Sequence, residues 1–182
     1  PFKPASVAIG AEAGFVGRFI DVDAKVGAEV LAAAAAYKGT AFIEIYQNCN
    51  IFNDGAWDHL ALKEVRAEQT LLLEHGQPML FGAAKDKGIR LVGVRPQVFQ
   101  LGQDGLGASD AWVHDAHDAD PTRAFLLARM DGPAFPTPMG VLRSVLRPAY
   151  DELLNAQVAE VTARKPPDLQ KLLDGAHAWL VG

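Results

Sequence analysis

The residues Ala41-Phe-Ile-Glu-Ile-Tyr46, followed by Gln47-Asn-Cys-Asn-Ile-Phe-Asn-Asp-Gly55, hold the pattern that decides the fold. The first six are apolar, β-branched or aromatic at nearly every position, which is typical of a buried strand. The polar segment after them contains Cys49, the only cysteine in the sequence, and several amide side chains. Because ligands of α/β sheets gather just outside the carboxyl ends of the strands, this segment is a candidate for part of a functional site.

The residues before this stretch predict a strand and a helix that lead into it. Phe15-Val-Gly-Arg-Phe-Ile20 has the composition of a strand, and Asp21 or Asp23 can cap the helix that follows. Apolar residues then recur every three to four positions, and Gly39 stands where such a helix commonly ends. We therefore expect two adjacent parallel strands joined by this helix through a right-handed crossover, which defines an α/β fold.

The remaining sequence predicts shorter elements. A short helix is expected over residues 4–13, and another within 58–68, before a small β meander. The expected strands of the meander are 70–74, 78–81 and 89–94, followed by a loop over 100–110, a short strand at 112–114 and a helix from Asp120 through Met130. Gly132, Pro133, Pro136 and Pro138 predict a linker. Two helices, about 148–164 and 167–180, complete a helical C-terminal tail.

Composition restricts the class of partner. The chain has 182 residues, of which 49% are hydrophobic, and a net charge of -5. The mild acidity argues against nucleic acid as a partner, because no Lys/Arg stripe is present to neutralise phosphates. No apolar run is long enough to cross a bilayer, and one cysteine fits a reducing compartment, so we expect a cytoplasmic protein without a membrane partner. The start at Pro1, without methionine, suggests a fragment or a processed chain.

Few other residues form a recognisable metal-binding or catalytic motif. His114-Asp-Ala-His-Asp118 carries side chains that could bind a metal, but a polar loop before a capped helix explains it better. No serine or cysteine nucleophile stands beside a recognisable base, so no catalytic residue is identified. For Cys49, spacing alone favours a small buried hydrophobe, because one thiol defines no site.

Several motifs together carry a resemblance to a known family. The segment Gly39-Thr-Ala-Phe-Ile-Glu-Ile-Tyr-Gln-Asn-Cys-Asn-Ile-Phe-Asn-Asp-Gly55 resembles the β subunit of 2-oxoacid:ferredoxin oxidoreductases, most closely the 2-oxoglutarate branch. The match continues, in the order of that family, through Pro1-Phe-Lys-Pro4, Gly10-Ala-Glu-Ala-Gly-Phe-Val-Gly-Arg18, Glu74-His-Gly-Gln-Pro78, Lys87-Gly-Ile-Arg90, Val113-His-Asp115 and Pro136-Thr-Pro-Met-Gly-Val141. The likeness therefore covers almost the whole chain.

The resemblance implies a function for the complete enzyme. Such β subunits hold thiamine diphosphate with Mg²⁺ and one [4Fe–4S] cluster, and a partner α subunit completes the active site. The enzyme decarboxylates a 2-oxoacid oxidatively, coenzyme A takes the acyl group, and electrons pass through the cluster to ferredoxin. Cys49 matches the fourth cluster ligand of the family, while the other three cysteines and the thiamine motif are absent from this sequence.

The resemblance therefore suggests the C-terminal portion of such a subunit. Residues 1–57 would be the C-terminal half of the thiamine-diphosphate-binding domain, and residues 58–182 the β meander and helical extension. Because a cubane cluster usually needs four thiolates, the fragment alone is expected to hold no cofactor and to be inactive.

Amide side chains surround the candidate ligand in the sequence. Asn48 and Asn50, together with Gln47 and Asn53, could tune the cluster by hydrogen bonding or line the cofactor pocket. An equal alternative is that they satisfy the backbone of their own loop. Two other functions stay open: a non-catalytic module that binds an α-subunit-like partner, and an unrelated α/β enzyme that uses Cys49 as a nucleophile.

Overall fold

A computed structural model of the chain describes residues 2–176 and 179. The chain divides into two compact units, Pro1–Arg147 and Pro148–Gly182, which we describe separately. The boundary expected between residues 57 and 58 stays a prediction; in the first unit, strands from both sides of it pair in one sheet.

The first unit contains five α-helices and seven strands within its described residues. In chain order they are α1 (Pro4–Gly10), β1 (Phe15–Ile20), α2 (Ala24–Ala36), β2 (Ala41–Tyr46), α3 (Asp58–Ala61), α4 (Lys63–Gln69), β3 (Thr70–Leu73), β4 (Leu80–Phe81), β5 (Lys87–Val92), β6 (Arg95–Gln100), α5 (Thr122–Arg129) and β7 (Thr137–Ser144). A short 3₁₀ turn at Ala108–Asp110 precedes α5.

Strands β1 and β2 form the predicted parallel pair, in register from Phe15 opposite Ala41 to Ile20 opposite Tyr46. The connecting helix α2 begins after Asp23, whose carboxylate accepts the backbone N–H of Val26 at 3.3 Å. The prediction of adjacent parallel strands is therefore confirmed.

The position of β2 in the sheet corrects one expectation. The four-stranded sheet has the order β2-β1-β7-β3, so among the described strands β2 lies at an edge, and it is only half-buried. All six residues of β1 are buried instead. An apolar run in the sequence looks the same in an edge strand and in a central strand, because the pattern reports the hydrophobicity of the side chains and not the number of neighbouring strands.

Strand β7 corrects the predicted linker. Residues Thr137–Ser144 form a strand inside the sheet, antiparallel to β1 and parallel to β3. Pro138 is tolerated there because β7 pairs with β1 only from Gly140 onward, so Pro138 has a single strand neighbour. Proline and glycine masked the strand pattern of this segment.

The predicted β meander is present, with different members. Strands β4, β5 and β6 form a separate antiparallel sheet of three strands. The predicted strand at 70–74 is β3, which joins the main sheet rather than the meander. Strand β6 has no counterpart among the predicted strands, and β5 begins at Lys87, two residues before the predicted start at residue 89.

The main core of this unit lies between α1, α5 and the two sheets. It includes Ile9, Val16, Leu71, Ile89, Trp112 and Leu142. A second cluster, with Phe19, Val30 and Leu60, packs α2 and α3 against the sheet. Burial of these apolar side chains supplies most of the stabilising free energy.

The second unit is helical in its described residues. Helix α6 spans Tyr150–Arg164 and α7 spans Leu169–Asp174, and neither contains a buried residue. The predicted helical tail is confirmed in α6, whereas the last residues of its expected second helix, including Leu180, lie outside the described residues. No helix of the described chain is long and apolar enough to cross a membrane.

Candidate functional site

Cys49 lies in an exposed loop three residues after the end of β2. The loop turns back on itself, because the backbone N–H of Asn53 donates to the carbonyl oxygen of Cys49 at 3.0 Å. The thiol is free and exposed, so the interpretation of Cys49 as a small buried hydrophobe is wrong. The strand thus delivers a sulfur atom to the surface at its carboxyl end.

The environment of the sulfur favours the thiolate. The backbone N–H groups of Phe52, Ile51 and Asn53 lower the pKa of the Cys49 thiol, with Phe52 contributing most, while desolvation opposes them by more than Asn53 contributes. Backbone N–H dipoles near a thiolate stabilise its negative charge. The groups that lower this pKa are therefore backbone dipoles rather than the imidazole that a catalytic thiol commonly uses.

Asn48 holds the two ends of this loop together. Its side-chain Nδ2 donates to Asn50 Oδ1 and to Asp54 Oδ1, both at 2.8 Å, and its Oδ1 accepts the backbone N–H of Gly55 at 3.0 Å. Both predicted amides, Asn48 and Asn50, are thus beside Cys49, and they bond to the loop itself. This arrangement fixes the backbone of the loop on both sides of Cys49.

The tip of the loop is apolar. Ile51 and Phe52 are 84% and 89% exposed, although they directly follow the polar residues that close the loop. Exposed apolar side chains of this size are common on surfaces that contact other parts of a protein or a partner. The Cys49 thiol therefore lies beside an exposed apolar surface formed by Ile51 and Phe52.

An aromatic pair borders the same loop. The rings of Tyr46 and Trp57 stack in parallel with their centroids 4.1 Å apart, so they join the residues before and after the loop. A cavity of about 800 Å³ opens beside this pair and is also lined by Glu44, His59 and Asp131. Burial raises the pKa of Tyr46 to about 12, with Glu44 adding to the effect and Arg18 opposing it. The phenol is therefore neutral at physiological pH.

A buried ion pair supports this end of the sheet and was not predicted from the sequence. Arg18 of β1 donates through Nε to Glu44 Oε2 at 2.6 Å and through Nη2 to the carbonyl oxygen of Ala128 at 3.0 Å. Its guanidinium also lies 5.5 Å from the centre of the Tyr46 ring. Arg18 and Glu44 each interrupt an apolar strand, and parallel pairing of those strands could have revealed them as partners.

The histidines near residue 115 have structural contacts. His114 is buried and donates from Nε2 to the carbonyl oxygen of Val141 at 2.8 Å, and His117 donates from Nδ1 to that of Ser144 at 2.6 Å. Burial lowers the pKa of His114, and the neighbouring His75 and His117 lower it further. Within residues 2–176 and 179, no group of three or more His, Cys, Asp or Glu side chains could hold a metal ion.

The sequence as a whole is similar to a known subunit. It is 40% identical over 185 aligned residues to the 2-oxoglutarate oxidoreductase subunit KorB of Mycobacterium tuberculosis, covering 100% of this chain and 49% of that protein. The chain thus spans about half the length of this curated relative. The resemblance predicted from the motifs is therefore confirmed. No protein-family model matches the chain.

The fold is similar to that of a solved enzyme. The neighbour is a 2-oxoglutarate:ferredoxin oxidoreductase from Magnetococcus marinus, solved with 2-oxoglutarate, coenzyme A and succinyl-CoA bound. The superposition has a TM-score of 0.59 at 18% sequence identity and covers 97% of this chain and 45% of that one. At this identity the likeness concerns the fold, and it confirms the predicted α/β class.

Proposed function

We propose that this chain is part of the β subunit of a 2-oxoglutarate:ferredoxin oxidoreductase. The observation that carries the proposal is the 40% identity to KorB along the entire chain. The complete enzyme would convert 2-oxoglutarate and coenzyme A to the acyl-CoA and pass electrons to ferredoxin. Its partners would be an α subunit and ferredoxin, and its location the cytoplasm.

Cys49 is the residue of this chain that we assign to a [4Fe–4S] cluster. The fit rests on the donor chemistry, because the sulfur is exposed and three backbone N–H groups stabilise its thiolate form. Hydrogen bonds from backbone N–H groups to ligand sulfurs are also a means of setting the reduction potential of such clusters. The residues present therefore fit one ligand of a cluster whose other ligands would come from the rest of the subunit.

The residues around Cys49 have supporting roles in this proposal. Asn48 would hold the loop in the conformation that aims its N–H groups at the sulfur. Ile51 and Phe52 would keep water away from the bound group once the rest of the subunit covers them. A cluster held there would supply one-electron transfer. Thiamine diphosphate and Mg²⁺ would be bound by residues of the complete subunit that lie outside this chain. Residues 1–57 of this chain would adjoin that site.

The proposal is tested in the complete subunit, co-expressed with its α subunit. Cys49→Ala removes one of the thiolates that a cubane cluster needs, so the broad iron–sulfur absorbance and ferredoxin reduction should both fall sharply. Thiamine binding, followed by fluorescence quenching, should be retained because other residues hold the diphosphate. Val94→Ala, at the exposed β5–β6 turn, is the matched control and should leave all three measurements unchanged.

Two results would contradict the proposal. If the Cys49→Ala enzyme keeps its iron–sulfur absorbance and reduces ferredoxin at the normal rate, Cys49 is not a cluster ligand. If the complete wild-type protein contains no iron and does not oxidise 2-oxoglutarate, the assignment to this class of enzyme is wrong.

A further inference from the structure

The loop that carries Cys49 is attached to the rest of the fold only at its two ends. We call residues 47–56 the Cys49 loop, and none of them is buried or belongs to a core cluster. Within residues 2–176 and 179, the hydrogen bonds of the Cys49 loop run only among residues 48–58. The loop therefore has no anchor of its own on the sheet or in the core.

The Cys49 loop is nevertheless braced internally. Asn48 donates to Asp54 at 2.8 Å and accepts the backbone N–H of Gly55 at 3.0 Å, which joins the two halves of the loop. The backbone N–H of Asn53 donates to the carbonyl oxygen of Cys49 at 3.0 Å. Because these bonds are internal, the loop keeps its shape when it moves, and the residues at its two ends decide where it lies.

A single aromatic pair joins those two ends. Tyr46 is the last residue of β2 and Trp57 is the residue before α3, and their rings stack with centroids 4.1 Å apart and planes 7° apart. Such a stack adds to the stability gained from burial and favours one relative orientation of the rings. The position of Cys49 relative to the sheet therefore depends on this contact at the base of the loop.

The two rings are held in different ways. Tyr46 is fixed to the sheet, because its carbonyl oxygen accepts the backbone N–H of Asp21 at 3.0 Å and the buried Arg18 guanidinium lies 5.5 Å from the centre of its ring. Trp57 borders the cavity of about 800 Å³, so part of its surface meets no packing. Leu60 is buried and anchors α3, so loss of the stack should displace the loop without unfolding this helix.

We propose that Trp57, stacked on Tyr46, is the positioning residue that sets the place of Cys49 at the carboxyl end of β2. Ligands at functional sites must be held within about 0.5 Å of the productive geometry by the residues that support them. In the complete enzyme, Trp57 would thus align Cys49 with the ligands from the rest of the subunit. This consequence at the cluster rests on the proposed function, whereas the effect on the loop concerns this chain alone.

The position of the loop is measured by pulsed electron paramagnetic resonance in the 182-residue chain, of which Cys49 is the only cysteine. Nitroxide labels at Cys49 and at Lys25→Cys, an exposed position on α2, report the distance between the loop and this helix. Trp57→Leu removes the stack and keeps an apolar side chain, so the distance distribution should broaden. Trp57→Phe keeps a ring that stacks on Tyr46 and should restore the wild-type distribution.

Ile89→Ala is the control for a general loss of stability. Ile89 is fully buried in β5, which belongs to the separate three-stranded sheet. Its truncation lowers the thermal midpoint through the cavity that it leaves, while the stack at the base of the loop is untouched. The distance distribution of Ile89→Ala should therefore match that of the wild type.

The consequence at the cluster is measured in the complete β subunit, co-expressed with its α subunit. Loss of a residue that orients a metal ligand commonly weakens metal binding by roughly 10–100-fold. Release of iron to a chelator should accordingly be at least about 10-fold faster in Trp57→Leu than in the wild type. Trp57→Phe and Ile89→Ala should release iron at the wild-type rate.

The outcomes separate this inference from the proposed function. An unchanged distance distribution in Trp57→Leu would overturn the inference and leave the proposed function standing. The inference is also wrong if Trp57→Phe or Ile89→Ala broadens the distribution as much as Trp57→Leu does. A broader distribution with an unchanged rate of iron release would overturn the role of Trp57 at the cluster. If the complete wild-type enzyme holds no cluster, the proposed function fails, and the distances still support or overturn the positioning of the loop by Trp57.

Discussion

Arg18 and Glu44 face each other on adjacent parallel strands, and their side chains meet at 2.6 Å in a place that leaves them 2% and 11% exposed. The pair joins the two strands that lead to the Cys49 loop. Because the surroundings exclude water, each charge depends on the other for compensation. Arg18 Nη1 has no hydrogen-bond partner among the described residues, so the guanidinium relies strongly on Glu44.

Removal of the Glu44 charge should destabilise the fold. Glu44→Gln leaves the Arg18 guanidinium buried without a counter-charge, and breaking a buried pair in this way costs about 3–5 kcal/mol. Urea denaturation of the chain should therefore show a clearly lower midpoint. Glu29→Gln, on the exposed side of α2, is the control and should change the free energy of unfolding by less than about 0.5 kcal/mol.

The double replacement Arg18→Met with Glu44→Leu tests whether the uncompensated charge of Arg18 causes the destabilisation. Removing both charges also removes their desolvation cost, so the double variant should be more stable than Glu44→Gln. If Glu44→Gln unfolds at the urea midpoint of the wild type, the ion pair does not hold β1 and β2 as we infer.

The parts of the fold that the sequence predicts are those with strong local signals. Strand β1, helix α2 and strand β2 are bounded by an aspartate cap and by Gly39, and their parallel pairing follows from their order. Strand β7 has no such signal, because Pro138 and Gly140 interrupt it. Its place between β1 and β3 depends on contacts between residues distant in sequence, which local patterns do not encode.

In the candidate site, too, the residue types could be predicted from the sequence and the geometry could not. Cys49 and its amide neighbours were recognisable by residue type, and the motif that contains them carried the family resemblance. The backbone N–H groups that lower the pKa of the Cys49 thiol could not be recognised from the sequence, because the path of the backbone depends on how the loop closes. The role of Asn48 in closing that loop likewise requires the distances to Asp54 and Gly55.

His114 should make stability depend on pH. Burial holds its pKa in the folded state below the usual value, so below about pH 6.5 the unfolded chain binds more protons and stability falls. As the pH falls below about 6.5, the wild type should lose stability through this residue with a slope of at most about 1.4 kcal/mol per pH unit. His114→Gln should flatten that part of the profile, measured by urea denaturation at each pH.

An exposed histidine provides the control for this pH effect. His59 is exposed, so His59→Gln should leave the pH profile unchanged. Equal loss of stability with decreasing pH in the wild type and in His114→Gln would show that His114 does not cause it. His75 and His117, which face His114, and Asp115 stay in place in both variants.

Gly140 should be intolerant of a side chain. Its φ is +115°, and a Cβ atom there would lie 2.9 Å from the carbonyl oxygen of Leu73 on the neighbouring strand. Backbone strain of this kind costs about 1–3 kcal/mol, and the clash adds to it. Gly140→Ala should therefore lower the thermal midpoint by several degrees, whereas Gly107→Ala, which meets open space at negative φ, should change it little. Equal midpoints would contradict this account of β7.

The effect of the backbone N–H groups on the pKa of the Cys49 thiol should be measurable in the isolated chain through the reactivity of the thiol. Because they stabilise the thiolate, the rate of alkylation by iodoacetamide should reach half its maximum below about pH 8.5, the value for an unperturbed cysteine. Phe52→Pro deletes the N–H that contributes most and should move the midpoint toward that value. Phe52→Ala removes the aromatic ring but keeps the N–H, so its midpoint should match the wild type. If Phe52→Ala raises the midpoint as much as Phe52→Pro does, the ring and not the backbone activates the thiol, and the loop would not be the preformed anion site that we assign to the cluster ligand.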